Sequence, residues 1–125
     1  MASAGCVHIP WYATGLRGDK LAAALAEIAP IALRYGASSY AVYRYKDARY
    51  KFLQAPTFER KEDWERYWGG PEFERFRVVN QSYYQVPVVY AWTDVAAVGS
   101  MPEAPVAGGQ PAAIGGPQGD TGDTI

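Results

Sequence analysis

His8 is the side chain best suited to acid–base chemistry, because it is the only histidine among the 125 residues. An imidazole exchanges a proton near neutral pH, so a positioned His8 could act as a general base. It lies in residues 6–12, where Val7, Ile9 and Trp11 alternate with other side chains and predict a β-strand. If this strand is central, His8 points to the helix side of the sheet or into a pocket. The alternative is a structural histidine held by a hydrogen bond.

Cys6 is the only cysteine, which excludes an intramolecular disulfide and an all-cysteine metal site. Cys6 and His8 share a face of the predicted strand, but two ligands do not make a metal site, so no metal is expected. A single thiol fits a reducing compartment. The sequence has neither a secretory signal pattern nor a run of about 20 apolar residues that could span a membrane. It therefore predicts a cytoplasmic protein with no membrane association.

Aromatic side chains form the second group of candidates, and they are densest between residues 61 and 84. Helical spacing places an aromatic stripe on one side of a helix, and a Gly-Gly-Pro hinge leads into a second short helix. The stripe could line a flat pocket for an aromatic molecule, or it could fill an ordinary helix–sheet core: Trp64, Tyr67, Trp68, Phe73 and Phe76. Other side chains with polar tips suit either a pocket or a dimer interface: Tyr40, Tyr43, Tyr45, Gln54, Tyr83, Tyr84 and Gln85.

The elements that must position these residues follow in the order βαββαβ. Asp19 is a candidate N-cap for a first helix, Pro30 should interrupt that helix, and Gly36 should end it. Residues 39–45 and 50–58 alternate as two strands joined by a polar turn, and residues 83–92 form the last strand. Prolines at positions 10, 56 and 87 predict local bulges, since each removes a backbone donor.

This order predicts an α+β, ferredoxin-like fold, in which both helices pack on one face of a four-stranded antiparallel sheet with strand order 4-1-3-2. The other face is open. Large apolar side chains occur at both parities of the strands, as at Tyr40 and Tyr43. Such a face is too apolar for water, so a second copy is expected to cover it as a homodimer.

Charge and composition divide the chain into two regions. Residues 99–125 contain seven glycines and four prolines and no aromatic residue, so they predict a flexible tail that follows a folded domain at residues 1–98. The net charge is −1, and basic and acidic residues are interleaved. Nucleic acid is therefore not an expected partner.

The run YGASSYAVYRYKDARYKFLQAPTFERKEDWERYWGGPEFERFR, at positions 35–77, resembles the dimeric α/β-barrel superfamily of antibiotic-biosynthesis monooxygenases and their relatives. The resembling pattern is a helix ending in glycine, an aromatic hairpin, a DWERYW helix and a PEFERF helix. The resemblance implies two ferredoxin-like subunits that pair their open faces into a barrel, with a pocket between sheet and helices. Haem-degrading relatives use an axial histidine where this sequence has Trp68 and Glu72, so no cofactor is expected.

Two functions follow from the residues and the resemblance together. The first is a homodimeric, monooxygenase-type oxidoreductase acting on an aromatic or polycyclic small molecule, with His8 as base and Tyr67 and Tyr43 as orienting groups. Its substrate contacts would come from Trp64, Trp68, Phe73, Phe76, Gln54, Tyr40 and Tyr84. The alternative is a non-catalytic binding or assembly subunit whose Gly/Pro-rich tail docks on a larger protein partner.

Overall fold

A computed structural model describes residues 4–102 of the chain. It has three α-helices, two 3-10 helices and six strands within that range. The strands are β1 (Gly5–Tyr12), β2 (Ala37–Ser39), β3 (Val42–Arg44), β4 (Lys51–Gln54), β5 (Thr57–Phe58) and β6 (Ala91–Asp94). The helices are α1 (Gly18–Ile28), α2 (Lys61–Trp68) and α3 (Pro71–Asn80), with 3-10 turns at Ala29–Tyr35 and Gln81–Tyr83.

The strands form one antiparallel sheet around β1. On one side β1 pairs with β5 and β4, which pair in turn with β2 and β3, and on the other side it pairs with β6. This confirms the predicted order 4-1-3-2. The predicted strands 39–45 and 50–58 are nevertheless each broken in two. Pro56, which has no N–H to donate, separates β4 from β5, and the register between β2 and β5 shifts between Ala37 and Ser39.

The last predicted strand, 83–92, is wrong over most of its length. Tyr84 forms an isolated bridge to Ala13, and regular pairing with β1 resumes only at Ala91, opposite His8. Between these points β1 advances five positions whereas the facing chain advances seven, so the facing chain holds two extra residues. Its middle part, residues 86–90 (VPVVY), is called the strap below.

The first helix behaves as predicted at its C-terminal end but not at its start. The α-helix changes to a 3-10 helix at Ala29, next to Pro30, and Gly36 ends it in the left-handed region at φ 101°. Asp19 is not the N-cap, because the helix begins at Gly18 with Arg17 as its N-cap, two residues earlier than predicted. The Asp19 carboxylate instead accepts a 2.8 Å hydrogen bond from Arg44 of β3.

The two sheet faces differ in burial. Val7, Ile9 and Trp11 point to the helix side and are fully buried against α1, α2 and α3. The other side chains of β1 face the open side. The core thus lies between the helices and one face of the sheet, as the ferredoxin-like plan requires.

The structure leaves the predicted tail untested but addresses membrane spans in the described part of the chain. The proposed tail, and any protein partner for it, concern residues that lie mostly beyond Pro102 and thus outside the described residues, so the division at residue 98 stays a prediction. Within residues 4–102, no helix has both the length and the apolar character needed to cross a membrane.

Candidate aromatic-binding site

The predicted aromatic stripe forms a cluster on the helix side of the sheet. Trp64, Tyr67, Phe73 and Phe76 are buried and Trp68 is half-buried, so the structure brings all five together. The Trp64 and Trp68 ring centroids are 5.3 Å apart, and Phe73 lies 4.7 Å from Trp68. Close ring pairs at these separations stabilise a core and also present flat apolar surfaces. The rings pack mainly on one another.

Trp11 belongs to this cluster, although it was not predicted as a site residue. Its ring stacks on Phe73 at 6.2 Å and meets Phe76 and Tyr84 edge-on at 5.5 and 5.0 Å. Tyr84, a predicted binding residue, is therefore part of the same core. The alternation of Val7, Ile9 and Trp11 was the signal that could have placed Trp11 here, because residues two apart on a strand share a face.

A buried chain of hydrogen bonds crosses the cluster and joins the sheet to two helices. The Trp11 indole N–H donates to the Gln54 carbonyl oxygen at 3.0 Å, and the Gln54 amide donates to the Tyr67 hydroxyl at 3.1 Å. Tyr67 donates in turn to the Ile28 carbonyl at 2.6 Å. Burial raises the pKa of Tyr67 above its ordinary value, so the hydroxyl stays protonated at neutral pH. Gln54 and Tyr67 are thus occupied by this chain.

Trp64 differs from the other polar groups of the cluster. Its side chain is 0% exposed, and its indole Nε1 has no hydrogen-bond partner among the described residues. Leaving a buried donor unpaired costs about 1 to 3 kcal/mol. Unsatisfied buried groups of this kind are rare in folded proteins, so this one calls for an explanation.

Tyr90, the last residue of the strap, lies over this part of the cluster. Its ring centroid is 4.8 Å from that of Trp64 and 5.5 Å from that of Trp68. Phe58 and Tyr67 also contact Trp64 and are fully buried, whereas Tyr90 is 36% exposed. Tyr90 was read only as part of a regular strand, so its position over Trp64 was not predicted.

His8 does not point to the helix side of the sheet, as the central position of its strand had suggested. It is exposed on the open face, because it alternates with the buried residues Val7 and Ile9. There it lines an open groove of about 770 Å³ together with Cys6, Thr57, Thr93 and residues 94–98. The cavity beside His8 is therefore open to solvent and not a closed pocket.

The three predicted catalytic residues do not come together in the structure of the chain. Tyr43 is 58% exposed and shares the open face with His8, since both Tyr43 and Pro10 pair with Leu53. Tyr67 lies under the opposite face. Tyr40 is exposed in the link between β2 and β3, away from the buried cluster. The roles assigned to these residues stay predictions, but they divide between two faces of the sheet.

Metal binding has no support from a cluster of ligands in the described part of the chain. Within residues 4–102, no three side chains of His, Cys, Asp or Glu lie close enough together to hold an ion. The cluster around Trp64 consists of aromatic rings and the neutral polar groups of Gln54 and Tyr67, and the Arg77 guanidinium lies 4.8 Å above the Trp68 ring. Its chemistry is therefore suited to a flat apolar molecule that carries a hydrogen-bond acceptor.

Comparison with solved structures defines the class of fold. The described part of the chain has an α+β fold with a curled antiparallel sheet and helices on one face, and this is the fold of antibiotic-biosynthesis monooxygenase-like proteins. A putative antibiotic biosynthesis monooxygenase from Nitrosomonas europaea superposes with a TM-score of 0.68 at 7% identity, covering 75% of this chain and 91% of that one. The resemblance seen in residues 35–77 is thereby confirmed at the level of the fold.

Two further structures have the same fold. SnoaB from Streptomyces nogalater, a cofactor-independent oxygenase, has a TM-score of 0.64 at 14% identity, covering 82% of this chain and all (100%) of its own. A putative antibiotic biosynthesis monooxygenase from Chloroflexus aurantiacus has a TM-score of 0.64 at 18% identity, covering 80% and 98%. No protein-family model matches the sequence, and no curated protein is significantly similar to it. At these identities the likeness concerns the fold.

Proposed function

We propose that the protein binds an aromatic or polycyclic small molecule in the cluster around Trp64 and acts on it as a cofactor-independent, monooxygenase-type oxidoreductase. The observation that carries the proposal is the fully buried Trp64 Nε1, which has no partner among residues 4–102. A carbonyl or phenol oxygen on the ligand would accept its hydrogen bond. The neighbouring ring of Trp68 supplies a flat surface for the ligand's own rings.

The same N–H gives the site a chemical role. An aromatic ketone with an acidic CH₂ group becomes an enolate when it loses a proton, and the negative charge collects on its oxygen. A donor fixed in a dry site stabilises that charge more strongly than water does. The carbanion then passes an electron to O₂, a C–O bond forms, and loss of water from the hydroperoxide leaves a ketone. In sum R₂CH₂ and O₂ give R₂C=O and H₂O.

In this proposal the proton of the CH₂ group passes to bulk solvent at the partly exposed Tyr90 side of the site, and not to His8 of the same chain. His8 lies on the opposite face of the sheet from Trp64, and a strand side chain cannot reach through the sheet. A catalytic role for His8 would concern the open-face groove instead. The similarity in fold to SnoaB, an oxygenase that needs no cofactor, supports the reaction class.

The protein is further proposed to be a homodimer that pairs its open faces. Exposed aromatic rings on that face include Tyr12 and Tyr43, and Leu53 lies between them on the neighbouring strand. A monomer would expose this apolar surface to water, and soluble monomers rarely expose a contiguous apolar surface of this kind. A second copy is a suitable cover, because the same residues meet themselves across a two-fold axis.

Anthrone tests the function, because it is a tricyclic ketone with an acidic CH₂ group. Binding is followed by calorimetry and turnover by oxygen uptake and anthraquinone formation. Trp64→Phe should weaken anthrone binding about 2- to 10-fold through the lost hydrogen bond. It should lower kcat by about 100-fold if the N–H stabilises the enolate. Anthracene, which has no oxygen, should bind the wild type and Trp64→Phe alike.

Trp92→Phe is the matched control. Trp92 lies in β6, pairs with Val7 and packs against Gly5, so the same substitution is made at a tryptophan whose ring is not paired with that of Trp64 or Trp68. It should leave the difference between anthrone and anthracene intact. Equal affinity of Trp64→Phe and wild type for anthrone would contradict the role of the N–H.

A non-catalytic binding protein is the second candidate, and the packing of the cluster favours it. Trp11, Gln54 and Tyr67 satisfy one another's hydrogen bonds, and the described residues bring no ionised side chain into that chain of bonds. Anthrone binding without oxygen uptake above the buffer rate would select this candidate. Its tail-docking part is tested by deleting residues 99–125 and measuring whether any association is lost.

A further inference from the structure

We infer that Tyr90 is an exchangeable cover of the aromatic site, and that an incoming ligand takes the place of its ring against Trp64 and Trp68. This inference rests on the proposed function and adds the route by which a ligand enters and the residue that limits its size. Four observations carry it: the partners of Trp64, the irregular strap, its anchors and its exposed side chains.

The partners of Trp64 leave one side accessible to exchange. Phe58 and Tyr67 hold it from β5 and α2 and are themselves fully buried, so neither can move without disrupting the core. Trp68 is half-buried on the same helix as Trp64. Tyr90 is the most exposed of these four rings, and it belongs to no helix or strand. Among the rings that contact Trp64, Tyr90 is therefore the one that a ligand can most easily replace.

The strap has the construction of a movable segment. The residues from Tyr84 to Ala91 hold two more than the part of β1 that they face, and pairing with β1 is missing from Val86 to Tyr90 within the described chain. Pro87 has no N–H, and Pro10 of the facing strand has none either. A segment without ladder hydrogen bonds opens at lower free energy than the strands beside it.

Both ends of the strap are anchored, so its movement is local. Before it, the Gln85 backbone N–H donates to the Tyr12 carbonyl at 2.8 Å, and the Gln85 side chain donates to the Ala13 carbonyl at 3.0 Å. After it, Ala91 pairs with His8 at the start of β6. Val86 and Val89 point to solvent. The inward contacts are those of Val88 with the core and of Tyr90 with the two indoles.

The consequence is a site that is closed in the free protein and open in a minor population. Ligand binding must then displace Tyr90, and its affinity is reduced by the small fraction of open molecules. In return, the Trp64 N–H gains an acceptor that the Tyr90 ring does not supply. A ligand wider than the space left by one tyrosine ring would need the whole strap to move.

Removing the ring tests this directly. Tyr90→Ala should raise the affinity for anthrone about 10- to 100-fold, if the open state is populated at about 1 to 10% in the wild type. It should also raise the acrylamide quenching constant of tryptophan emission without any ligand. Tyr90→Phe keeps the ring and should behave like the wild type in both measurements. Val89→Ala, an exposed neighbour, is the matched control for a change in the strap.

Tyr90→Leu is a second variant in case Tyr90→Ala does not fold, and it should give intermediate values. If quenching rises in these variants but no form binds anthrone, the cover is supported and the proposed function is contradicted. If the wild type binds anthrone and Tyr90→Ala binds it with unchanged affinity, the cover is overturned while the proposed function stands. Unchanged quenching in Tyr90→Ala would also overturn the cover.

Discussion

The hydroxyl of Tyr67 donates a 2.6 Å hydrogen bond to the carbonyl of Ile28, at the residue where α1 ends. Pro30 disturbs the helix beyond that point, and the chain continues as a 3-10 helix. Tyr67 also accepts a hydrogen bond from Gln54 of β4. One buried side chain therefore ties α2 to the end of the first helix and to the sheet, beneath the proposed binding site.

Tyr67→Phe should destabilise the protein by about 1 to 3 kcal/mol, because it leaves the buried Ile28 carbonyl and the Gln54 amide without their partner. Urea unfolding followed by circular dichroism measures this. Tyr43→Phe is the matched control, since it removes the same hydroxyl from an exposed ring and should change stability by less than about 0.5 kcal/mol. Equal stability of Tyr67→Phe and wild type would mean that the hydrogen bond contributes little.

Acid should destabilise the protein through Asp63. The Arg66 and Arg60 guanidinium groups donate hydrogen bonds to its carboxylate at 2.7 and 3.2 Å and hold the pKa of Asp63 below its ordinary value. Because the folded pKa is the lower one, this stabilisation is present above the unfolded value of about 3.9 and is lost as the pH falls through the folded pKa.

In Asp63→Asn the free energy of unfolding should therefore decrease less steeply than in the wild type as the pH is lowered. Denaturation measured at a series of acidic pH values tests this. Asp47→Asn, in the exposed turn between β3 and β4, should leave the fall as it is. Asp63 is buried near Gly36. If the unfolding free energy of Asp63→Asn falls with pH as steeply as that of the wild type, Asp63 is not a source of the acid sensitivity.

Association should depend on the open face of the sheet. The proposed dimer has twice the 13.7 kDa mass of the chain, and Leu53→Arg should convert it to a monomer by placing charges in the interface. Leu33→Arg puts the same residue on the exposed helix side and should leave the mass unchanged. Light scattering gives the masses. A monomeric wild type at micromolar concentration would contradict the dimer.

Trp64→Ala should cost about 3 to 5 kcal/mol, the range for truncating a fully buried aromatic side chain. Trp68→Ala should cost less, because Trp68 is only half-buried, although it also carries the Arg77 guanidinium 4.8 Å above its ring. Both values are obtained from the midpoints of denaturant unfolding, provided that the m-value is the same in the variants and the wild type. A larger loss for Trp68 than for Trp64 would mean that burial is not the main source of stability here.

His8→Gln separates the two faces of the sheet. If the reaction takes place in the cluster around Trp64, the variant should oxidise anthrone at the wild-type rate, because His8 lies on the other face. If His8 is the general base, turnover should fall by about 100- to 10,000-fold while the melting temperature stays the same. Both quantities are measured on the same sample. A large fall in turnover would move the site to the open-face groove.

The sequence alone determined most of the architecture, because local patterns carry it. The alternation of Val7, Ile9 and Trp11 predicted β1, while Pro30 and Gly36 marked the interruption and the end of the first helix. The order of strands and helices then left the ferredoxin-like arrangement as the expected packing. Of the three prolines predicted to disturb their strands, Pro56 and Pro87 lie outside the regular strands of the structure. The prediction was wrong for Pro10, which lies within the regular ladder of β1 opposite Leu53.

The tertiary structure alone decided which side chains share a site. Both sheet faces carry large apolar residues in several strands, so the period-two pattern did not tell which face His8 would join. The unpaired Trp64 N–H depends on every neighbour that packs around it, and those neighbours come from α2, β5 and the strap. Tyr90 reaches Trp64 because the chain from Tyr84 to Ala91 has two residues more than the facing stretch from Ala13 to His8, so the strap does not pair with β1. Such a shift in register depends on contacts between residues that are distant in sequence.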